Sequence, residues 1–139
     1  MKWMLLCVSL LLSHWVCQQS PQAAAEKPVA PETKPAVDPA KLVNPTKPTP
    51  TSLALGKKSY NLDCAMCHGK TGAGDGDLAA DMKLQLRDYR DPGSLKSMSD
   101  GEIFTIIANG KGQMSGEQGR TNSSQIWNLV NYIRTLSKK

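Results

Sequence analysis

The chain has 139 residues, with 17 Lys or Arg against 12 Asp or Glu for a formal charge of +5, and it contains 11 Gly, 9 Pro, 4 Cys and 2 His. Eight of the nine prolines fall between Pro21 and Pro50, and the strongly apolar run is Met4 to Val16, so the averages mix three unlike segments. Only the stretch from Thr51 to Lys139 can bury a core; it is too short for two domains, excludes a large self-sufficient enzyme, and at that size calls for a staple such as a metal, a disulfide or a cofactor.

Residues 1–25 read as an export signal. Lys2 gives the positive start, Trp3 to Leu12 the apolar stretch, and Ala23-Ala24-Ala25 a small-residue cleavage site, which puts the mature start near Glu26 and the protein in the periplasm or otherwise outside the cytoplasm. A spanning helix takes about 20 apolar residues, and this run meets His14 sooner. The alternatives are an uncleaved membrane anchor in residues 1–17 and lipid attachment at Cys17, the latter weakened because His14-Trp15-Val16 offers no small residue before the cysteine. Residues 26–50 have no aromatic residue and neither helical nor strand period, so composition predicts a disordered, partly polyproline linker. It serves either as a spacer or as a plain leader.

Three helices are predicted in the rest. The first spans about Ser52 to Asp63. The second opens at the capping box Ser99-Asp100-Gly101-Glu102, carries Ile103, Phe104, Ile106 and Ile107, and closes at Gly110. The third opens at Asn122-Ser123-Ser124-Gln125 and sets Ile126, Leu129, Val130, Ile133 and Leu136 in one apolar stripe, with Arg134, Lys138 and Lys139 at its negative end. Between them lie a Gly-rich loop from Gly69 to Gly76, a short helix near Leu78 to Leu86 and a turn at Asp91-Pro92-Gly93. No alternating strand pattern is present, so the fold class is all-α.

The cysteines decide the chemistry. Cys7 and Cys17 belong to the export segment, leaving Cys64-Ala65-Met66-Cys67-His68, which is the attachment spacing for c-type haem. Each thiol adds to one porphyrin vinyl group, and the adjacent imidazole becomes the proximal iron ligand. A thioredoxin-type pair would follow a strand in an α/β pattern. Structural zinc needs four ligands, and the folded segment has three Cys or His in total. A simple disulfide in an exported protein stays open, although it leaves His68 and the glycine loop without a role. With His14 in the signal, a second ligand to iron is expected from methionine. Met66 lies inside the motif, Met82 and Met98 read as core filling, and Met114 follows a flexible Gly-bearing segment that can carry it over the opposite haem face.

At these residues the chain resembles a class I c-type cytochrome, over essentially all of Ser52 to Lys139. The likeness lies in Gly56 and Tyr60 before Cys64-Ala65-Met66-Cys67-His68-Gly69, in Gly72-x-Gly74-Asp75-Gly76, in Asn109-Gly110-Lys111 before Met114, and in Ile126-Trp127-x-Leu129-Val130-x-Tyr132-Ile133-Arg134. It implies a small fold of three to five helices around one covalent haem c, iron ligated by His68 and Met114, and first and last helices crossing with Gly56 and Tyr60 against Leu129 and Tyr132. Two positions depart from the family pattern: Asp77 replaces the proline whose region supplies a carbonyl acceptor for the proximal imidazole, and Ser115 replaces the proline after the ligand methionine.

The resemblance implies one-electron transfer without substrate turnover, at a positive midpoint potential, by a monomer that docks transiently with redox donors and acceptors. Ile103, Ile106, Ile107, Leu129 and Ile133 are expected pocket walls. Tyr89 and Trp127 are candidate donors to a haem propionate, and Arg87 or Arg90 its candidate ion-pair partner. From Thr51 onward there are 12 cationic and 9 acidic residues, 12 − 9 = +3, too near neutral to name a partner. No basic stripe or stacking aromatic supports nucleic-acid binding. The rival readings are a haem-binding subunit of a membrane oxidase or dehydrogenase complex, and a five-coordinate haem sensor or enzyme.

Overall fold

In the computed structural model, which describes residues 37–137, the helix starts follow the capping signals. The expected signal over residues 1–25, Cys17, the first part of the linker, and Lys138 and Lys139 lie outside the described residues. Helix α1 is Pro50–Ser59: the Thr49 side chain accepts from the Ser52 amide, and Pro50 takes the first helical position, where no amide is needed. A π-helical turn, Tyr60–Cys64, leads into the short α2, Ala65–His68, and the Gly-rich loop connects this to α3, Asp77–Asp81. Helix α4, Asp100–Asn109, and helix α5, Ser123–Leu136, each begin with a complete capping box.

The all-α class holds, with one addition. Gly110 ends α4 at φ +82° and starts a minimal antiparallel hairpin, β1 Gly110–Lys111 with β2 Met114–Ser115, which pairs Gly110 with Ser115 and Lys111 with Met114. Strands of two residues carry no alternation for a sequence pattern to display.

Helices α1 and α5 cross tightly. A side chain at Gly56 would run into the Asn128 carbonyl and lie 2.8 Å from the Tyr132 Cβ, so only glycine allows this approach. The expected contact to Tyr132 is present and Tyr60 packs beside it, ring centroids 5.3 Å apart, but the neighbour closest to Gly56 is the Asn128 backbone rather than Leu129. Leu129, Val130 and Tyr60 are fully buried at the centre of the core.

The linker expectation is corrected from residue 38 onward. The Asp38 side chain caps a 3₁₀ turn at Pro39–Lys41, and Pro39 and Leu42 sit directly over Gly101 in the first turn of α4. Further along, Asn44 donates to the Asn131 side-chain oxygen at 2.9 Å, and the Asn131 amide donates to the Thr46 carbonyl and the Ser52 hydroxyl, each at 2.9 Å. Ser52 donates in turn to Asn128 at 2.7 Å. Proline sets the extended path of this strap, and buried amides fix it to the domain.

Candidate cofactor site

The CxxCH segment is held by its own loop. After His68 the chain reverses at Gly69, φ +76°, and the loop amides return to the α2 carbonyls: Gly74 to His68 at 2.8 Å and Gly76 to Cys67 at 3.1 Å. The buried Tyr60 hydroxyl donates to the Gly69 carbonyl at 2.9 Å. The carbonyls left at the end of α2 are thus satisfied by the glycine loop rather than by a longer helix.

Cys64, His68 and Met114 line one cavity of about 240 Å³, 50 residues apart in sequence at the extremes. Cys67 lies one helical turn beyond Cys64 and is half-buried. The expected apolar walls Ile103, Ile106, Ile107 and Ile133 are there, whereas Leu129 is in the core beneath. Met98 also lines the cavity, so two methionines face it; Met66 and Met82 are exposed. Of the propionate candidates, Tyr89 and Arg87 line the cavity. Trp127 instead stacks on Phe104 with ring centroids at 4.2 Å, and Arg90 is paired to Asp88 at 2.7 Å on the exposed surface. Gln85, Leu86, Leu95 and Lys111 are cavity residues that the sequence reading missed. The first three lie in irregular chain between α3 and α4, where no periodicity marks an inward side; Lys111 carried a signal in its place between Gly110 and Met114.

Burial sets the chemistry of these groups. It pushes the Cys64 thiol up to about 12, with the nearby Asp63 charge adding to the shift, so this thiol stays protonated and does not suit thiolate exchange. Burial pulls the His68 imidazole below its ordinary value and keeps it neutral, the form that ligates a metal. Nδ1 of His68 is buried without a hydrogen-bond partner among the described residues. The expected carbonyl acceptor is not met at Nδ1; α3 starts at this point, and the Gly76 carbonyl accepts from the amides of Ala79 and Ala80. Both cysteines are free, and among the described residues no three His, Cys, Asp or Glu side chains cluster as an ion site.

Residues 53–137 match the family model described as cytochrome c. The chain belongs to the cytochrome c family. Like the class I monohaem members of that family it carries covalently bound haem c with iron, the group through which the family transfers electrons. The cavity fits that group: its walls are apolar, and a neutral His68 imidazole and the Cys64 thiol line it side by side. A chain of the Kuenenia stuttgartiensis reducing HAO-like protein complex Kustc0457/Kustc0458 is 26% identical at TM-score 0.59, over 74% of this chain and 50% of that one. The present chain therefore spans about half of that relative. The KustC0563 c-type cytochrome is 26% identical at TM-score 0.53, covering 58% of this chain and 95% of its own. Cytochrome c6 of the diatom Phaeodactylum tricornutum, 19% identical at TM-score 0.50 over 62% and 94%, shares the fold.

Proposed function

We propose that this cytochrome c is an exported, monomeric single-electron carrier, and not an enzyme, in which Cys64 and Cys67 form the thioether links and His68 and Met114 are the axial ligands. The observation that carries this reading is one cavity with apolar walls that Cys64, His68 and Met114 line together. When bound, the haem supplies an iron that alternates between ferrous and ferric states. The protein's own residues tune and shield it. Ile103, Ile106, Ile107 and Ile133 keep water from the site, and thioether ligation in an apolar wall favours the reduced state, giving a positive midpoint potential. Arg87 and Lys111 are the cationic groups on the cavity wall and hold the haem carboxylates; Arg87 is already braced by its bond to the Ser94 carbonyl at 2.6 Å. Met114 is favoured over Met98 because it follows the Gly-bearing segment Asn109-Gly110-Lys111-Gly112-Gln113 beyond α4.

Residues 1–25 serve export, the segment after them tethers or spaces, and the strap from Asp38 joins the cytochrome domain that runs to Lys139. Among the described residues no helix is long and apolar enough to cross a membrane. Redox proteins are the proposed partners, docking transiently at the haem edge.

The deciding experiment is a reduced-minus-oxidised spectrum with pyridine haemochrome on protein matured with its own signal, repeated for Met114→Ala and Met98→Ala. Haem that survives acid-acetone extraction, and a sulfur-to-iron charge-transfer band lost only in Met114→Ala, are the expected results. Loss in Met98→Ala instead reassigns the ligand, and absence of covalent haem ends the reading. The match to a chain of an HAO-like complex favours a second reading, a haem subunit held in a larger redox assembly. Gel filtration of the native extract separates them: a monomer supports the carrier, and co-migration of the haem with other subunits supports the assembly.

A further inference from the structure

The His68 imidazole meets an unusual setting. A ligating histidine is normally oriented by a hydrogen bond from its second ring nitrogen. Here Nδ1 has no partner among the described residues, and the Gly76 carbonyl at the start of α3 is taken by two helix amides. What meets the ring instead is Tyr89, stacked on it with centroids 5.0 Å apart and planes inclined by 18°. Tyr89 is itself anchored. Its amide donates to the Gly72 carbonyl at 2.6 Å, and the Gly72 amide donates to the Gly69 carbonyl at 3.1 Å, the same oxygen that accepts from Tyr60. The residue stacked on the imidazole and the residue that follows the imidazole in sequence are therefore tied to one loop.

We infer that Tyr89 is the positioning residue for His68, fixing the plane of the imidazole by its aromatic face in place of a hydrogen bond at Nδ1. The inference rests on His68 being an axial ligand. A stacked ring restrains rotation about the bond that carries the imidazole, and a flat aromatic partner does this without withdrawing the proton at Nδ1. The hydroxyl is not needed for this role; the face is.

The test uses the full-length, haem-loaded protein and three variants, Tyr89→Phe, Tyr89→Leu and Tyr89→Met. The readouts are the ferric EPR g-values and the haem-methyl NMR shifts, which respond to the axial imidazole plane and not to stability as such. Tyr89→Phe is expected to keep the wild-type g-values and shift pattern. Tyr89→Leu and Tyr89→Met are expected to lose the single sharp methyl set, replaced by broadened or doubled signals, while the iron stays low-spin. Tyr89→Met guards against a packing failure in the leucine variant. Wild-type signals in both aliphatic variants overturn the inference, and so does an equal disturbance in Tyr89→Phe, which would assign the effect to the hydroxyl. His68→Ala separates the underlying reading: if it retains the wild-type low-spin spectrum, His68 is not the ligand and the ligation proposal fails first.

Discussion

The two sides of this small domain solve burial in opposite ways. At the α1–α5 crossing the chain satisfies itself: Ser52, Asn128 and Asn131 are buried and hydrogen-bonded to one another, and Gly56 lets the backbones close to contact. On the cavity side the same chain leaves a buried imidazole nitrogen without a partner, lines a space with isoleucines, and holds Lys83 at φ +54° just before the lining begins at Gln85. A scaffold pairs its own polar groups, whereas a cofactor site is walled by apolar side chains around a few polar ones. The difference locates the function independently of any motif.

Removing the haem attachment breaks the comparison hardest. In Cys64→Ser/Cys67→Ser, amide exchange should lose protection first over the 83–98 segment and the 110–115 hairpin, while α1 and α5 exchange last. Uniform loss would show that the crossing does not stand apart. Gly56→Val strikes the other side, forcing a side chain into the Asn128 carbonyl, and is expected to cost about 3 kcal/mol by chemical denaturation. Asn131→Ala strands the partners Asn44, Thr46 and Ser52 at once, with an expected loss of about 2 kcal/mol and freer proteolysis of residues 38–49.

Two smaller changes sharpen the contrast on the cavity side. Lys83 occupies the position after α3 where its amide bonds to Ala80 and the Leu84 amide to Ala79, a helix ending that favours glycine; Lys83→Gly should stabilise by about 1 kcal/mol in a thermal melt. The pH effect is the smallest. Burial pushes the Tyr89 phenol up to about 12 from an ordinary 10.0, and raises Tyr60 as well. Above pH 10 the unfolded chain releases phenol protons that the folded chain retains, so stability present below pH 10 falls as pH rises toward 12. Tyr89→Phe should flatten that decline in urea titrations run across the window, and an unchanged slope would show that Tyr89 ionises freely.

Local signals survived folding well. Both capping boxes opened helices at Asp100 and Ser123, because side chain and backbone lie within three residues of each other and need no tertiary help. The Cys64 to His68 motif was legible for the same reason. The strap was misread, since its prolines describe local stiffness, while its docking depends on Asn131, 87 residues from Asn44. Arg134 was legible as a charge at a helix end; its bonds to Asp100 at 2.8 Å and to the Leu95 carbonyl at 2.9 Å, which tie the turn before α4 to α5, were not.

The sequence by itself determined the covalent motif, the family and the two long capped helices, since each is encoded by residues a few positions apart. Only the tertiary structure decided that Met98 shares the cavity with Met114, that Arg87 faces it while Arg90 and Trp127 do not, and that residues 38–49 pack onto the domain. Those outcomes depend on which distant groups meet once the core is closed, and no spacing along the chain records that.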